Sequence, residues 1–487
     1  MSSPFNEARY KALLEGLEIS EIKKFDLENQ FTIGAEFYSK QFVKSLQKLK
    51  ESGFEIQNLS DITTLITDGD HGAPNYQEKG VLYLLSESIK IGYIDESIFR
   101  YITEELHIEL KRSSLRPGDV VVTKTGIYFG KSAVIPENFP EANTSAHVGK
   151  ISVKKERINP YYLSAFINSK YGYLQFRRRG IKATRPEIKL IEFNDIKIVI
   201  PSYGFQLNVE ELTQKANFIR QQSFKIFSQA ASILLDSIGL KYFQPSADPI
   251  NIKGFKESFL STGRLDAEYY QKKYEEIINH IKTQKYNLLG NLVSIKKSIE
   301  PGSEVYSDEG LPFLRVSDYN KFGINEPEKK LNDRFCRENE ALIEKLKPKK
   351  ETILFSKDGS VGTAYMLRND ADFITSGAIL HLNVKQKEEV IPEYLTLVLN
   401  SKLVQMQAER DAGGSIIMHW RVAEIENVVV PIIDFTKQKE IAALVEESFR
   451  LKSLSEQLLE AAKRAVEIAI EENEEVALNY LNEFQQV

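Results

Sequence analysis

The sequence predicts a mixed α/β (α+β) protein. Two repeated globular domains are separated by a pair of long antiparallel coiled-coil helices, in a circular pseudo-two-fold repeat. Three observations predict this: an ordered internal repeat, a heptad-spaced run that closes each copy, and strand-like and helical stretches that lack the regular rhythm of a doubly wound sheet. The chain has 487 residues and a mass of 55.6 kDa, length enough for about three ordinary domains.

The repeat has an offset that stays between 230 and 233 residues and keeps its order throughout. Ala35-Glu36-Phe37-Tyr38 matches Ala267-Glu268-Tyr269-Tyr270. Gly80 with Val81-Leu82-Tyr83-Leu84 matches Gly310 with Leu311-Pro312-Phe313-Leu314. Leu115-Arg116-Pro117 matches Leu346-Lys347-Pro348, and Lys124-Thr125-Gly126 matches Lys357-Asp358-Gly359. Pro160-Tyr161-Tyr162-Leu163 through Asn168-Ser169-Lys170 matches Pro392-Glu393-Tyr394-Leu395 through Asn400-Ser401-Lys402. Ile198-Val199-Ile200-Pro201 matches Val428-Val429-Val430-Pro431. Chance similarity does not hold both order and offset over such a span.

Each copy ends in a β-rich run, a proline and then a heptad segment. Val209, Leu212, Ala216, Ile219, Ser223, Ile226, Ala230 and Ile233 follow 3-4 spacing, and Ile441, Leu444, Ser448, Leu451, Ser455, Leu458, Ala462 and Ala465 do the same. This spacing predicts two helices of about 30–35 residues, roughly 45–50 Å long, each with one apolar seam whose alternate positions are small. The interface is expected at Leu212, Ile219, Ile226, Ile233, Leu444, Leu451 and Leu458. Residues 434–487 hold 6 Lys+Arg and 12 Asp+Glu, so this helix is a poor surface for DNA and a better spacer or protein-docking face. Ala12-Leu13-Leu14-Glu15 resembles Ile233-Leu234-Leu235-Asp236 and predicts that the first residues complete the helical region. The expected boundaries are 1–30 for that segment, 31–205 for the first globule, 206–250 for the central helix and linker, 251–433 for the second globule and 434–487 for the last helix.

Within the globules, strands are predicted at Val120-Val121-Val122, Ile151-Ser152-Val153, Ile353-Leu354-Phe355 and 380–384. Helical stretches are predicted from Pro160 to Arg179 and from Pro392 to Arg410, with Gly-rich turns at 68–72 and 357–362.

Charge separates the two copies. Residues 111–190 hold 16 Lys+Arg and 5 Asp+Glu, whereas residues 351–430 hold 7 and 11. The first excess is sharpest at Arg177-Arg178-Arg179, Lys182, Arg185 and Lys189, with Tyr171, Tyr173 and Phe176 interleaved. Phosphate neutralisation needs such a patch, and arginine also reads guanine in the major groove. The bland alternative is a solvated helix end. The second copy has to rely more on base-edge and shape contacts.

Catalytic signals do not assemble. Gly126 to Gly130-Lys131-Ser132 has three residues between its glycines where a P-loop needs four. Asn159-Pro160-Tyr161-Tyr162 resembles a methyltransferase Asn-Pro-Pro-Tyr loop but reads more simply as a helix N-terminus. No two glycines stand two apart, so a dinucleotide or S-adenosylmethionine loop is not found. Pro186-Glu187-Ile188-Lys189 contains a nuclease-like Glu-x-Lys without an upstream Asp partner. The six histidines lack metal-ligand spacing, and the single Cys336 excludes a cysteine metal cluster. No catalytic residue, metal or cofactor is expected. No apolar run approaches a membrane span and the first 16 residues have no apolar signal core, so a cytoplasmic location is expected.

Two globules each followed by a long helix, without a catalytic motif, resemble the specificity subunit of prokaryotic type I restriction–modification systems. The marks are Asp68-Gly69-Asp70-His71-Gly72-Ala73-Pro74, then Phe355-Ser356-Lys357-Asp358-Gly359-Ser360-Val361-Gly362, then Gly413-Gly414-Ser415 with His419-Trp420-Arg421. The resemblance implies that each globule is a target recognition domain reading half of a bipartite site in double-stranded DNA. It implies helices that set the unread spacer and dock two modification (methyltransferase) subunits, joined by ATP-dependent restriction subunits that carry out translocation and cleavage. The expected DNA-binding residues are Asp70, His71, Lys124, Thr125, Lys131, Arg177, Arg178, Arg179, Lys182 and Arg185 in the first copy. In the second they are Arg315, Lys357, Asp358, Ser415, His419 and Arg421. Lys124-Thr125-Gly126 departs from the Lys-Asp-Gly of the second copy. The competing readings are a subunit of a related, type II-like or fused modification system, an enzyme acting on nucleic acid by itself, and a coiled-coil scaffold that binds only proteins.

Overall fold

The computed structural model describes residues 7, 10, 13–24, 27, 34–72, 74–126, 129–180, 186–248 and 250–485. Half of the segment expected to complete the helical region, residues 1–30, lies outside the described residues, as do Lys182 and Arg185. The chain forms two compact units, one of residues 1–220 with 453–487 and one of residues 221–452. Helix and sheet are mixed in both.

In the first unit the principal strands are β1 (Glu55–Asn58), β2 (Thr63–Asp68), β3 (Val81–Leu84), β4 (Arg100–Ile102), β5 (Val120–Thr123), β6 (Ser132–Val134), β7 (Ala142–Thr144), β8 (Val148–Val153) and β9 (Lys197–Ile200). Its main helices are α1 (Lys40–Glu51), α2 (Pro160–Asn168), α3 (Lys170–Gly180) and the first half of α4 (Tyr203–Ser237). The run Val120-Val121-Val122-Thr123 is buried on both faces, as a β-branched central strand must be. It lies third in a four-stranded antiparallel sheet of order β2-β8-β5-β6. A second sheet has the order β4-β3-β7, with β3 parallel to β7.

In the second unit the principal strands are β10 (Tyr286–Leu288), β11 (Val293–Lys297), β12 (Leu311–Leu314), β13 (Ile353–Ser356), β14 (Ala364–Met366), β15 (Ile374–Thr375), β16 (Ile379–Val384) and β17 (Val429–Pro431). Helices α5 (Lys272–Lys282), α6 (Pro392–Leu399), α7 (Lys402–Asp411) and the first half of α8 (Phe435–Glu471) accompany them. Strands β11-β16-β13-β14 form an antiparallel sheet in the same positional order as β2-β8-β5-β6. Here too a short strand, β12, runs parallel to β15.

The helical stretch expected from Pro160 to Arg179 is built of two helices, and so is the one from Pro392 to Arg410. Ser169 adopts an extended conformation, and its hydroxyl accepts the Gly172 N–H at 3.3 Å, capping a new helix. Gly172 permits the sharp break, because a Cβ there would lie 2.2 Å from the Phe166 carbonyl oxygen. In the second unit Ser401 is likewise extended between α6 and α7. At the start of α2 the Asn159 side chain accepts the Tyr161 N–H at 2.8 Å, and Pro160 occupies the first helical turn.

Polar side chains then fasten these helices to their sheets in the same way in both units. The Tyr162 hydroxyl donates to the Val199 carbonyl at 2.7 Å, and the Tyr394 hydroxyl to the Pro431 carbonyl at 2.8 Å. The Asn168 amide grips both backbone groups of Ser132, and Asn400 grips those of Ala364. Gln175 does so at Lys197, and Gln407 at Val429. Each bracket satisfies a strand that lacks a neighbour on that side.

Residues 203–220 of α4 and 453–471 of α8 share the core of the first unit. Val209, Leu212 and Ala216 are buried there with Leu458, Ala462, Ala465 and Ala469. Ser202 donates its backbone N–H to Glu474 at 2.9 Å, while Arg220, later on α4, meets Glu456, earlier on α8, at 3.8 Å. These halves are therefore antiparallel. In the second unit Ala230, Leu234, Ile441 and Val445 share a core. The expected seam is redistributed. Leu212 and Leu458 are buried, but Ile219, Ile226, Ile233, Leu444 and Leu451 are only half-buried, while Ala216, Ser223, Ala230, Leu234 and Val445 are buried. Each helix half packs on its globule as well as on the other helix, so its buried face is wider than a heptad stripe. Phe322 from the globule, for example, meets Phe224 and Phe227 edge-on.

Candidate nucleic-acid interface

In the first unit β2 ends at Asp68 and turns sharply through Gly69. A Cβ at Gly69 would lie 1.6 Å from the Thr144 carbonyl oxygen, so only glycine fits. The Asp70 carboxylate accepts the Gly72 N–H at 2.9 Å and closes the turn. His71 projects into solvent, 3.5 Å from Asp68. Beneath the turn Lys124 is buried. Its Nζ lies 2.5 Å from the Asp68 carboxylate and 3.1 Å from the Ala146 carbonyl. The exposed Arg112 approaches Asp68 from outside at 3.7 Å. Lys124 thus underlies the 68–72 turn, paired with Asp68 beneath its surface. Thr125 is buried as well. Lys131 is half-buried, and burial, helped by Lys90, pushes its ammonium pKa down.

The triple arginine divides. Arg177 is exposed, whereas Arg178 and Arg179 are buried. The Arg178 guanidinium stacks on the Phe37 ring, 3.7 Å from its centroid, and donates to the Phe37 carbonyl at 2.7 Å. Arg179 reaches the Asp195 carbonyl at 3.4 Å and Glu192 at 3.8 Å. Helix α3 turns both into the unit, where they hold the Ala-Glu-aromatic-Tyr segment and the 192–195 turn.

In the second unit the residues expected to act together meet at one place. Gly359, with φ +73°, donates its N–H to the Met418 carbonyl at 2.9 Å, and Trp420 donates to the Lys357 carbonyl at 2.7 Å. Between these bonds Asp358 faces His419. The His419 Nδ1 lies 2.8 Å from one Asp358 oxygen, and Lys357 Nζ binds the other. His419 and Gly413 exchange two backbone bonds, closing a turn through Ser415. Gly414 is obligatory there, since a Cβ would meet the Ile417 carbonyl at 2.0 Å. At the tip Ile416 is 94% exposed, and Ile417 is exposed beside it. Trp420 packs under the turn against Phe355, centroids 5.7 Å apart.

Arg421 and Arg315 stand apart from this cluster. Arg421 is exposed and pairs with Glu424 at 2.5 Å. Arg315 holds Asp318 and Glu328, the latter at 3.1 Å. Both arginines are charge-compensated. The sequence reading missed Ile416 and Ile417 at the turn, although Gly413-Gly414 is a recognisable turn signal. It also missed that Glu187, weighed only as part of a nuclease-like triplet, forms a β-bridge with Thr125 where Asp358 bridges His419. Among the described residues no His/Cys/Asp/Glu cluster could hold a metal ion, and no helix is long and apolar enough to cross a membrane.

Residues 270–464, including the whole Lys357–Trp420 cluster, match the family model for the type I restriction modification DNA specificity domain. The type I restriction enzyme EcoBI specificity subunit of Escherichia coli is 23% identical over 246 residues. That match spans 46% of this chain and 49% of the relative, so the chain spans about half of its length. Similar solved structures include a type I restriction–modification S subunit from M. genitalium, 12% identical, covering 88% of this chain and 96% of that one, with a TM-score of 0.34. The HsdS subunit from Thermoanaerobacter tengcongensis is 15% identical over 88% of this chain and 96% of that one, with a TM-score of 0.26.

Proposed function

We propose, on the premise that this chain groups with the type I restriction–modification specificity subunits, that it is the sequence-reading subunit of a DNA modification complex. Each globule, within 31–205 and 251–433, is a target recognition domain that reads one half of a bipartite site in double-stranded DNA. The paired helices fix the unread spacer and dock two modification (methyltransferase) subunits, with restriction subunits completing the assembly. Bond-making belongs to those partners, and this chain supplies selectivity. The observation that carries the reading is the specificity-domain match across the residues that build the Asp358–His419 turn. Support comes from the equal positional order of the two four-stranded sheets and from their common side-chain brackets. The excess of cations over residues 111–190 supports it as well.

The test is a domain exchange. Replacing residues 31–205 with the recognition domain of another such subunit changes one half-site of the genomic methylation pattern and leaves the other half-site intact. A pattern altered in both halves, or in neither, refutes the assignment of one half-site to each globule.

A further inference from the structure

Two residues occupy matching backbone slots, one in each unit. In the first, Gly126 donates its N–H to the Pro186 carbonyl at 3.0 Å and Ile188 donates to the Lys124 carbonyl at 3.1 Å, with Glu187 between them. In the second, the corresponding bonds run from Gly359 to Met418 at 2.9 Å and from Trp420 to Lys357 at 2.7 Å, with His419 between them. Glu187 is exposed, and the His419 side chain is 63% exposed. The backbone ladder fixes where each side chain starts, and both side chains reach solvent.

Their chemistry converges although their residue types differ. A carboxylate only accepts hydrogen bonds. The His419 Nδ1 lies 2.8 Å from the Asp358 carboxylate, which accepts from Lys357 as well. A proton on Nδ1 satisfies that contact, and in this tautomer Nε2 is left as an acceptor. In the major groove only the adenine N6 and cytosine N4 amino groups donate hydrogen bonds from a base edge. We propose that Glu187 and His419 are specificity-determining residues, each selecting a base that carries an exocyclic amino group in its own half-site. Asp358 is the positioning residue that sets the tautomer of His419. The inference rests on the DNA-reading function proposed above.

The test is selection of bound duplexes from a randomised DNA pool by the complete modification assembly carrying wild-type chain, His419→Ala or Glu187→Ala. Thermal melting confirms that each variant is folded. The wild type enriches a bipartite motif. His419→Ala relaxes one position of one half-site, a position held by adenine or cytosine on one strand, and cuts discrimination there roughly tenfold. Glu187→Ala does the same in the other half-site. Asp358→Asn, which can donate to Nδ1 and so release the tautomer, relaxes the same position as His419→Ala. A wild-type motif that survives both alanine variants unchanged overturns the inference while leaving the DNA-reading function standing. Relaxation of both half-sites by one variant overturns it as well. A wild-type assembly that enriches no motif overturns the DNA-reading function and the inference with it.

Discussion

Ser223 on α4 and Ser448 on α8 exchange hydrogen bonds across the helix pair of the second unit. The Ser223 hydroxyl donates to the Ser448 carbonyl at 2.8 Å, and the Ser448 hydroxyl donates to the Ser223 carbonyl at 2.9 Å. Both residues are buried. Such an exchange requires backbones close enough for a side chain of one carbon and one oxygen to span them, which explains why this seam position is small in both helices.

The repeat offset carries Ser223 onto Ser455 and Ser448 onto Ala216, so the corresponding pair in the first unit lacks one hydroxyl. Ser455 is fully buried there, and its hydroxyl has no hydrogen-bond partner. Two opposite outcomes are expected in urea unfolding. Ser223→Ala costs about 1 kcal/mol, the worth of one such bond. Ser455→Ala is neutral or slightly stabilising, because it removes an unsatisfied buried hydroxyl. Equal losses at both serines would show that the Ser455 hydroxyl is satisfied as well as that of Ser223, and that the two crossings do not differ in this way.

His381 lies on β16, buried in the sheet of the second unit, with Nε2 2.9 Å from the Thr375 hydroxyl. Burial pushes its pKa from 6.5 down to about 4, and Lys296 adds to the effect. Above pH 6.5 the ring is neutral whether the chain is folded or not, and its contribution to stability is complete. As pH falls below 6.5 the unfolded chain takes up a proton that the folded unit refuses, and stability declines until the folded ring titrates near pH 4. The full loss is about 3 kcal/mol. Urea midpoints measured between pH 7.5 and 4 fall in the wild type, and the slope flattens in His381→Gln. A His381→Gln profile parallel to that of the wild type would locate the acid sensitivity elsewhere.

Much of this architecture was legible in the sequence because it depends on residues with one dominant use. A Val-Val-Val run has few alternatives to a central strand, Asn159-Pro160 to a helix start, and Gly69 or Gly414 to a turn that excludes a Cβ. Long side chains resisted the same treatment. Arg177, Arg178 and Arg179 form one charge run in the sequence, yet helical geometry points consecutive residues about 100° apart, so α3 sends one outward and two inward. The breaks at Ser169 and Ser401 were hidden because both flanking stretches are helical and the capping serines are common inside helices too. Glu187 became readable only when the backbone bonds around it were seen to repeat those around His419.

The divided arginines give distinct phenotypes. Arg177→Ala weakens DNA binding by the assembly and lowers the slope of log K against log salt by about one unit, leaving the melting temperature unchanged. Arg178→Ala removes the stack on Phe37 and the bond to its carbonyl, destabilising the first unit by about 2 kcal/mol. Its salt slope is that of the wild type once folded protein is compared at equal concentration. Salt-titrated binding alongside thermal melting separates the two, and a reduced salt slope in Arg178→Ala would place that guanidinium against phosphate after all.

Lys124 and Asp68 make the sharpest demand on the first unit, because two opposite charges lie 2.5 Å apart with both side chains almost wholly excluded from water. Desolvation offsets much of their attraction, so the pair as a whole contributes little net stability, but Lys124 alone is a buried charge with only the Ala146 carbonyl to meet it, and Asp68 alone keeps only the peripheral Arg112 and His71. Lys124→Met is therefore expected to cost about 3–5 kcal/mol, and Asp68→Leu a similar amount. The double variant recovers most of the loss, since two apolar side chains of similar volume replace the pair without leaving a charge behind. The double-mutant cycle in urea measures this directly, with a coupling energy of opposite sign to the single losses. Because Asp68 also anchors the turn that presents His71, the double variant is expected to fold and yet bind DNA with altered selectivity in one half-site. Strictly additive losses would mean that the two groups do not compensate each other, and that the turn stands on its backbone bonds to Thr144, Ser145 and Ala146 and on the Asp70–Gly72 hydrogen bond.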